Sequence, residues 1–517
     1  EMAVYDRYAL KTGDVVQGPA VIEERESTTL VPPGDKVEVD AALNLRIAIA
    51  VETERTEMIS AAMPVEEAIK LLESDPVALE IMWSRLVTVT EEMWLTVIRT
   101  AFSLTVSESQ DFACGILDVH GESMVHSPRA MPVFNLTLPR AVRALLEKFP
   151  VETLRPGDVL ITNDPWLCAG HLFDIAVVTP VFVKERVVAL IGTVGHVSDI
   201  GGTKDAIRAT EIYEEGLQTP PMKFSDGGTV NTTLIEIISQ NVRGAEQVVG
   251  DIYGFIAANS LGAARLTSFM SEYGLSDLQA MAQLVQRLSE KAMRDAVRRM
   301  PDGEYRSEIQ CRQLGDTLSY PVKLTVTGDE IDIDFEGAPP QLPRGGLNST
   351  LNYTVAHATY PLKCLLTPDI RGNAGCYRPF RVKAPAGSAL NANYPASVSM
   401  RTRTGWYIAP NIFQALSQAA PGGVQAHTGL PIVTRVYCQT PSGIDAGHMF
   451  MGGGQGGSKG RDGHSTLLWP TSASNTAVEV FEARVPALVT EKAYLPDSGG
   501  AGAYRGGMGL YRRVRIE

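Results

Sequence analysis

Residues 157–202 read GDVLITNDPWLCAGHLFDIAVVTPVFVKERVVALIGTVGHVSDIGG, and this stretch decides the fold class. It holds three apolar runs, Asp158-Val159-Leu160-Ile161-Thr162, Ile175-Ala176-Val177-Val178 and Val187-Val188-Ala189-Leu190-Ile191. Short runs rich in Val and Ile, bounded by Gly, Pro and Asn, are strand signals. The polar Lys184-Glu185-Arg186 between the last two predicts a hairpin. In a hairpin the start of one strand neighbours the end of its partner, which brings His196 towards His171 and Asp174. Imidazoles and carboxylates together suit Zn, Mn or Fe and can leave a coordination position for water. The spacing from His171 to Asp174 lets both reach one ion across a turn. On spacing alone, loop residues that hydrogen-bond backbone are the competing reading.

Outward from this stretch the pattern turns helical. Asp75-Pro76 supplies an N-cap and a first-turn Pro, and Leu79, Met82, Trp83, Leu86, Val89, Met93, Val97 and Ile98 recur at helical spacing, which predicts a half-buried helix of about 25 residues. Residues 233–300 predict further helices, the last opening at Ser276 as N-cap and ending before Pro301-Asp302-Gly303. From there on, strands such as Glu330-Ile331-Asp332-Ile333-Asp334-Phe335 alternate with Gly/Pro-rich loops and one helix near 409–419. Residues 1 to 50 read as short strands and turns, with Gly18-Pro19, Pro32-Pro33-Gly34 and the alternating Lys36-Val37-Glu38-Val39-Asp40. The polar Val51-Glu52-Thr53-Glu54-Arg55-Thr56-Glu57 marks a boundary near residue 55.

The expected fold is α+β, with mixed β-sheets and long helices preceded by a small β module. The module would cover 1–55 and the main domain 56–517, with sub-domains near 64–230, 231–302 and 303–517. So short a module buries little core, so Val21, Ile22, Leu30 and Val31 are expected to meet a larger body, an A-type partner or the rest of this chain.

A hydrophobic share of 44% and a charged share of 20% exclude disordered and fibrous classes. The net charge of -13, with no clustered Lys/Arg footprint, argues against nucleic acid and for a small molecule or another protein as partner. No apolar stretch approaches the roughly 20 residues that span a bilayer, and Glu1-Met2-Ala3-Val4-Tyr5-Asp6 lacks signal-peptide character, so no membrane contact and a cytoplasmic location are expected. Cys114, Cys168, Cys311, Cys364, Cys376 and Cys438 form no C-x-x-C pair and read as free thiols. The runs Met451-Gly452-Gly453-Gly454-Gln455-Gly456-Gly457 and Asp497-Ser498-Gly499-Gly500-Ala501-Gly502 lack the phosphate-loop form and read as loops. There is no G-x-S-x-G elbow.

Several motifs in register resemble the hydantoinase B/oxoprolinase family from about residue 76 onward. They are Gly157-Asp158-Val159 through Asn163-Asp164-Pro165, Gly170-His171-Leu172-x-Asp174-Ile175, Gly195-His196-x-x-Asp199-Ile200-Gly201-Gly202, Glu214-Glu215-Gly216, Arg371-Gly372-Asn373-Ala374-Gly375 and the run at 497–502. Gly18-Pro19-Ala20-Val21-Ile22-Glu23-Glu24, with Ser27-Thr28-Thr29 and Pro32-Pro33-Gly34, looks like the C-terminal end of a protein of the hydantoinase A type. The sequence thus resembles part of an A-B fusion, and family members usually continue past the equivalent of Glu517.

The resemblance implies ATP-dependent chemistry in which an A-type partner, holding ATP and Mg, phosphorylates a carbonyl or enolate oxygen and the B half completes the reaction. A hetero-oligomer with that partner is implied. The leading expectation is the metal-containing part of an enzyme that opens a cyclic amide; the alternative is a ketone carboxylase, and the third reading a non-catalytic scaffold. Carried over by position, the ligands of a divalent Zn, Mn or Fe would be Asp111, in Glu108-Ser109-Gln110-Asp111-Phe112, with His171, Asp174 and His196. A metal-bound water would attack the activated carbonyl, with Asp199 or Asp164 as proton acceptor. Many amide-opening members carry H-x-P-x-H where this chain has Ala130-Met131-Pro132-Val133-Phe134, and a His pair where it has His196-Val197. Those departures argue against an oxoproline- or hydantoin-like substrate and leave the implied ligands intact.

Overall fold

In the computed structural model, which describes residues 2–50, 58–420, 422–440 and 443–516, alternating side chains build the N-terminal module. Strands β1 (Ala3–Asp6), β2 (Val15–Gln17), β3 (Ala20–Glu23), β4 (Thr28–Val31), β5 (Lys36–Val39) and β6 (Leu45–Ala48) form two sheets, ordered β1-β3-β4 and β2-β5-β6. Val16, Ala20, Ile22, Val31 and Val37 meet in the module's own core. Two of the expected docking residues are therefore interior: Ile22 is 1% and Val31 0% exposed, whereas Leu30 is 64% exposed. The period of two sends alternate residues inward, and the β3–β4 register pairs Ala20 with Val31. The predicted boundary at Val51–Glu57 lies outside the described residues. The chain divides into two units, Glu1–Met58 and Ile59–Glu517.

The larger unit starts with α1 (Val65–Glu73) and α2 (Pro76–Thr100). The Asp75 carboxylate accepts from Ala78 N at 3.0 Å, and Pro76 fills the first turn, where its missing N–H costs nothing. Leu79, Met82, Trp83, Leu86, Val89, Met93 and Val97 form its buried face. After the short α3 (Leu104–Ser107) come β7 (Phe112–Leu117), β8 (Ser123–His126), α4 (Pro132–Lys148), β9 (Val159–Thr162), β10 (Asp174–Val183), β11 (Arg186–His196), β12 (Met222–Asp226) and β13 (Thr229–Val230). They build an antiparallel seven-stranded sheet, ordered β13-β12-β9-β10-β11-β7-β8.

Helices α5 (Thr232–Asn241), α6 (Ala245–Glu272) and α7 (Gln279–Val297) follow. Leu138 of α4 packs on one face of the sheet and Phe255 of α6 on the other. Covered on both sides, β10 and β11 read as nearly unbroken apolar runs. Gly195 makes room for Phe255, because a Cβ there would lie 2.5 Å from its ring. The expected cap at Ser276 is corrected: its N–H and hydroxyl both bond Ile59 O, at 2.9 and 3.3 Å, and α7 opens at Gln279.

A second sheet, β14-β15-β16-β17, combines β14 (Gly303–Gln313), β15 (Asp316–Thr327) and β16 (Glu330–Asp334) with β17 (Phe380–Lys383). The chain reaches β17 only after α8 (Leu351–Leu366), and continues into α9 (Arg401–Leu416). Sequence reading had one helix here, placed too far along. Pro361 and Pro410 sit inside these helices and read locally as breaks, but the buried Ala358, Leu362, Ile408, Ile412 and Phe413 hold both against the second sheet. Hairpin β18 (Ile432–Thr440) and β19 (Gly443–Met451), short α10 (Val478–Glu482), and the pair β20 (Ala487–Tyr494) and β21 (Leu510–Ile516) complete the fold. Glycines 452–457 and the run 497–502 lie outside helices and strands. No helix among the described residues is long and apolar enough to cross a membrane.

Candidate metal centre and its cavity

Three strand ends meet at one edge of the seven-stranded sheet. Asp174 opens β10, His196 closes β11, and the two are register partners. Phe112 opens β7 opposite Gly195, and His196 N donates to Asp111 O at 2.9 Å, which puts Asp111 at the same edge. His171 arrives from the turn before β10. That turn is tied down by the buried Asn163, whose amide donates to Leu172 O at 2.7 Å and Leu217 O at 2.9 Å.

The side chains converge. His171 Nε2 lies 2.8 Å and His196 Nδ1 3.2 Å from Asp174 Oδ1, and Asp111 Oδ2 is 3.8 Å from His196 Nδ1. His171, Asp174 and His196 offer ligand atoms all within 4.8 Å of one another. Donors about 2.1 Å from a tetrahedral ion stand roughly 3.4 Å apart, so these separations match a shared divalent cation. His171 Nδ1 lies 2.9 Å from Ser399 O and must donate there, so a neutral ring would keep its Nε2 lone pair for an ion.

Arg401 of α9 completes the arrangement. Its Nη2 pairs with Asp174 Oδ2, its Nε donates to Ala169 O at 2.6 Å, and its guanidinium lies 4.0 Å from the centre of the Tyr353 ring. Gly170, at φ +91°, permits this approach, since a Cβ would stand 2.7 Å from Arg401 Cδ. Burial pushes the Asp174 carboxyl up, but the charges of His171 and Arg401 outweigh it and hold the group well below the usual carboxylate range. Burial, then the neighbouring Arg401, lower His171, and burial lowers His196; both shifts favour the neutral form that binds a metal. Asp111 is pushed up to about 6, by burial against the pull of His196.

The cluster opens onto a cavity of about 820 Å³, lined by Asp111, His171 and His196. Met131, Val133 and Phe134 form an apolar wall; of the two positions at which the H-x-P-x-H imidazoles are missing, Phe134 lines the cavity, whereas Ala130 is buried in the core. Asp164 and Asp199 lie outside the ligand cluster. Asp164 accepts from Trp166 N at 2.9 Å and Gln218 Nε2 at 2.8 Å, which fixes the turn. Asp199 is wholly buried and accepts from Gly201 N, Arg243 N, Arg243 Nη1 and Tyr437 Oη, all at 2.8 Å. Tyr437 and Arg243 themselves line the cavity. Sequence reading missed Arg401, Arg435, Tyr353, His357 and His448, which also line it; each is a single residue far along the chain with no motif around it.

Residues 75–517 match the profile of the hydantoinase B/oxoprolinase family, and residues 1–47 that of the hydantoinase/oxoprolinase C-terminal domain. The chain belongs to the hydantoinase B/oxoprolinase family. The B-type component of a candidate D-/L-hydantoinase from a Pseudomonas species is 30% identical, over 85% of this chain and 78% of its own. The 5-oxoprolinase 1 of Arabidopsis thaliana is 28% identical over 98% of this chain, which spans only 40% of that longer protein. The ATP-dependent caprolactamase of Pseudomonas jessenii superposes with a TM-score of 0.77 at 27% identity, over 86% of this chain and 78% of its own. An acetone carboxylase has the same TM-score of 0.77 at 19% identity, over 86% of this chain and 62% of its own, and so shares the fold. Within this enzyme family, the present member combines a His/Asp cluster with an apolar wall at positions 131, 133 and 134.

Proposed function

We propose that this chain is the metal-holding, B-type part of an ATP-dependent enzyme that opens a cyclic amide, working with an A-type ATP-binding subunit or segment that activates the substrate. The convergence of His171, Asp174 and His196 beside Asp111, at the edge of a cavity large enough for a small molecule, carries this reading. His171 Nε2, His196 Nδ1, Asp174 Oδ1 and Asp111 Oδ2 would hold a divalent Zn, Mn or Fe. Such an ion, when bound, supplies a Lewis acid and a water of lowered pKa.

The chain's own residues set up that chemistry. Ser399 O fixes the His171 tautomer, and Arg401 keeps Asp174 ionised and aimed. His196 Nε2 receives a hydrogen bond from Arg435 Nη2 at 3.0 Å, so the ring proton sits on Nδ1; for Nδ1 to offer a lone pair, that proton must move to Nε2 and Arg435 must part from it. Asp199 takes its part in proton transfer through Tyr437, a cavity-lining residue whose hydroxyl bonds the carboxylate. Asp164 has no such route and serves the turn. Met131, Val133 and Phe134 suit an amide ring with an apolar rather than a polar flank. Six free thiols and the need for ATP fit a cytoplasmic setting.

The test is a substrate screen of this chain with its A-type partner, following nucleotide release with lactams, hydantoins and ketones, with and without bicarbonate. Ring opening of an alkyl lactam without bicarbonate is expected. ATP consumption that requires both a ketone and bicarbonate would overturn the amide reading in favour of a carboxylase.

A further inference from the structure

Beside the ligand cluster, the cavity wall carries a guanidinium that makes no ion pair among the described residues, together with buried donors that have no acceptor. Arg435 of β18 makes no ion pair among the described residues; its guanidinium lies 4.6 Å from the centre of the Phe173 ring, and its Nη2 donates to His196 Nε2 at 3.0 Å. Its Nε is shielded from solvent and has no partner. His448, its register partner on β19, is 5% exposed. His448 Nδ1 is 2.8 Å from the Thr105 hydroxyl, while Nε2 is buried without a partner. With the hydroxyl donating to Nδ1, the neutral ring carries its proton on Nε2 and presents a second donor. Arg401, 1% exposed, adds a third: Nη2 and Nε are engaged, but Nη1 has no partner.

Buried donors without acceptors cost free energy, and a guanidinium withdrawn from water without a counter-ion costs more. All three residues line the one cavity. We propose that Arg435, His448 and Arg401 form an oxyanion subsite next to the proposed metal centre, which takes a carboxylate or phosphoryl group of the substrate. Arg435 is the main determinant, because of the two guanidinium groups it alone makes no ion pair among the described residues. The subsite rests on the proposed substrate cavity but not on metal occupancy. It orients the substrate: the anionic oxygen group faces β18 and β19, a side opposite in character to the apolar wall.

The test is calorimetric titration of inorganic phosphate, and separately of acetate, into the chelator-treated intact chain at constant ionic strength. One saturable site is expected, weakened about tenfold or more by Arg435→Gln, less by His448→Gln, and partly restored by Arg435→Lys. Binding of phosphate alone assigns the subsite to a phosphoryl group, and binding of acetate to a carboxylate. The proposal is overturned if neither anion saturates, or if Arg435→Gln and His448→Gln both bind as the parent does. Should Arg435→Gln fail to fold, Arg435→Lys and His448→Gln decide. Metal content is measured on the same preparations before chelation. A metal-free chain that binds phosphate through Arg435 removes the metal centre and leaves the subsite; a metal-loaded chain indifferent to Arg435→Gln does the reverse.

Discussion

Arg401 and Asp174, 227 residues apart in sequence, form an ion pair in which the two side chains are 2% and 0% exposed. Each is the other's compensation, for a buried carboxylate without its guanidinium is a charge in an apolar setting. Arg401→Met is therefore expected to lose about 3–5 kcal/mol in urea unfolding. The double variant Arg401→Met/Asp174→Asn, which removes both charges, should recover part of that loss. A double-variant loss equal to the sum of the two single-variant losses would show that the pair is not coupled.

Metal content should follow the donor set. His171→Ala, His196→Ala and Asp174→Asn are each expected to reduce bound divalent metal well below one ion per chain by elemental analysis, and chelation of the parent should lower its Tm. Asp111→Ala should weaken retention less, because its carboxylate lies 3.8 Å from His196 and outside the tightest group of three.

His357 sets a pH dependence. Its ring packs between Tyr353 and Tyr360, neither nitrogen has a partner, and burial, then the Arg401 charge, hold its pKa down at about 3 against an ordinary 6.5. The unfolded chain therefore binds a proton that the folded chain refuses, so this group's contribution is fully present above 6.5 and is lost as pH falls towards 3. His357→Phe keeps the ring packing and removes the titration. The Tm of the variant should gain on that of the parent as the solution is acidified; a constant difference across the range would refute the assignment.

Asp199 and Tyr437 should separate by readout. Asp199→Asn weakens the ion pair with Arg243 and the anchor of the Gly201 turn, so a stability loss of about 2–4 kcal/mol is expected. Tyr437→Phe removes only the hydroxyl that bonds Asp199. It should leave Tm within a few degrees of the parent and lower kcat by about 100-fold or more with little change in KM, the pattern of a lost proton-transfer step. An unchanged kcat in Tyr437→Phe would remove Asp199 from the chemistry and leave it a structural role.

Much of this arrangement is written locally in the chain. The Asp75 cap, the alternation in residues 15–39 and the polar break at Lys184–Arg186 act over a few residues, so the long helix, the β module and the central hairpin could be read directly. The hairpin also carried Asp174 and His196 to adjacent positions, because register follows from turn and strand length. Asp111 came only from the family resemblance: nothing near it signals that β7 lies beside β11. Helix α8 was hidden by Pro361, whose local penalty is met by burial against a sheet whose strands come from either side of it in the chain. The charge environment was legible nowhere. Arg401, Arg435 and His448 are ordinary residues in their own segments, and what they do depends on which distant groups they face and how little water reaches them. Sequence decides which residues can bond a metal or an anion; only the tertiary structure decides which of them are buried together, and electrostatic strength depends on that burial.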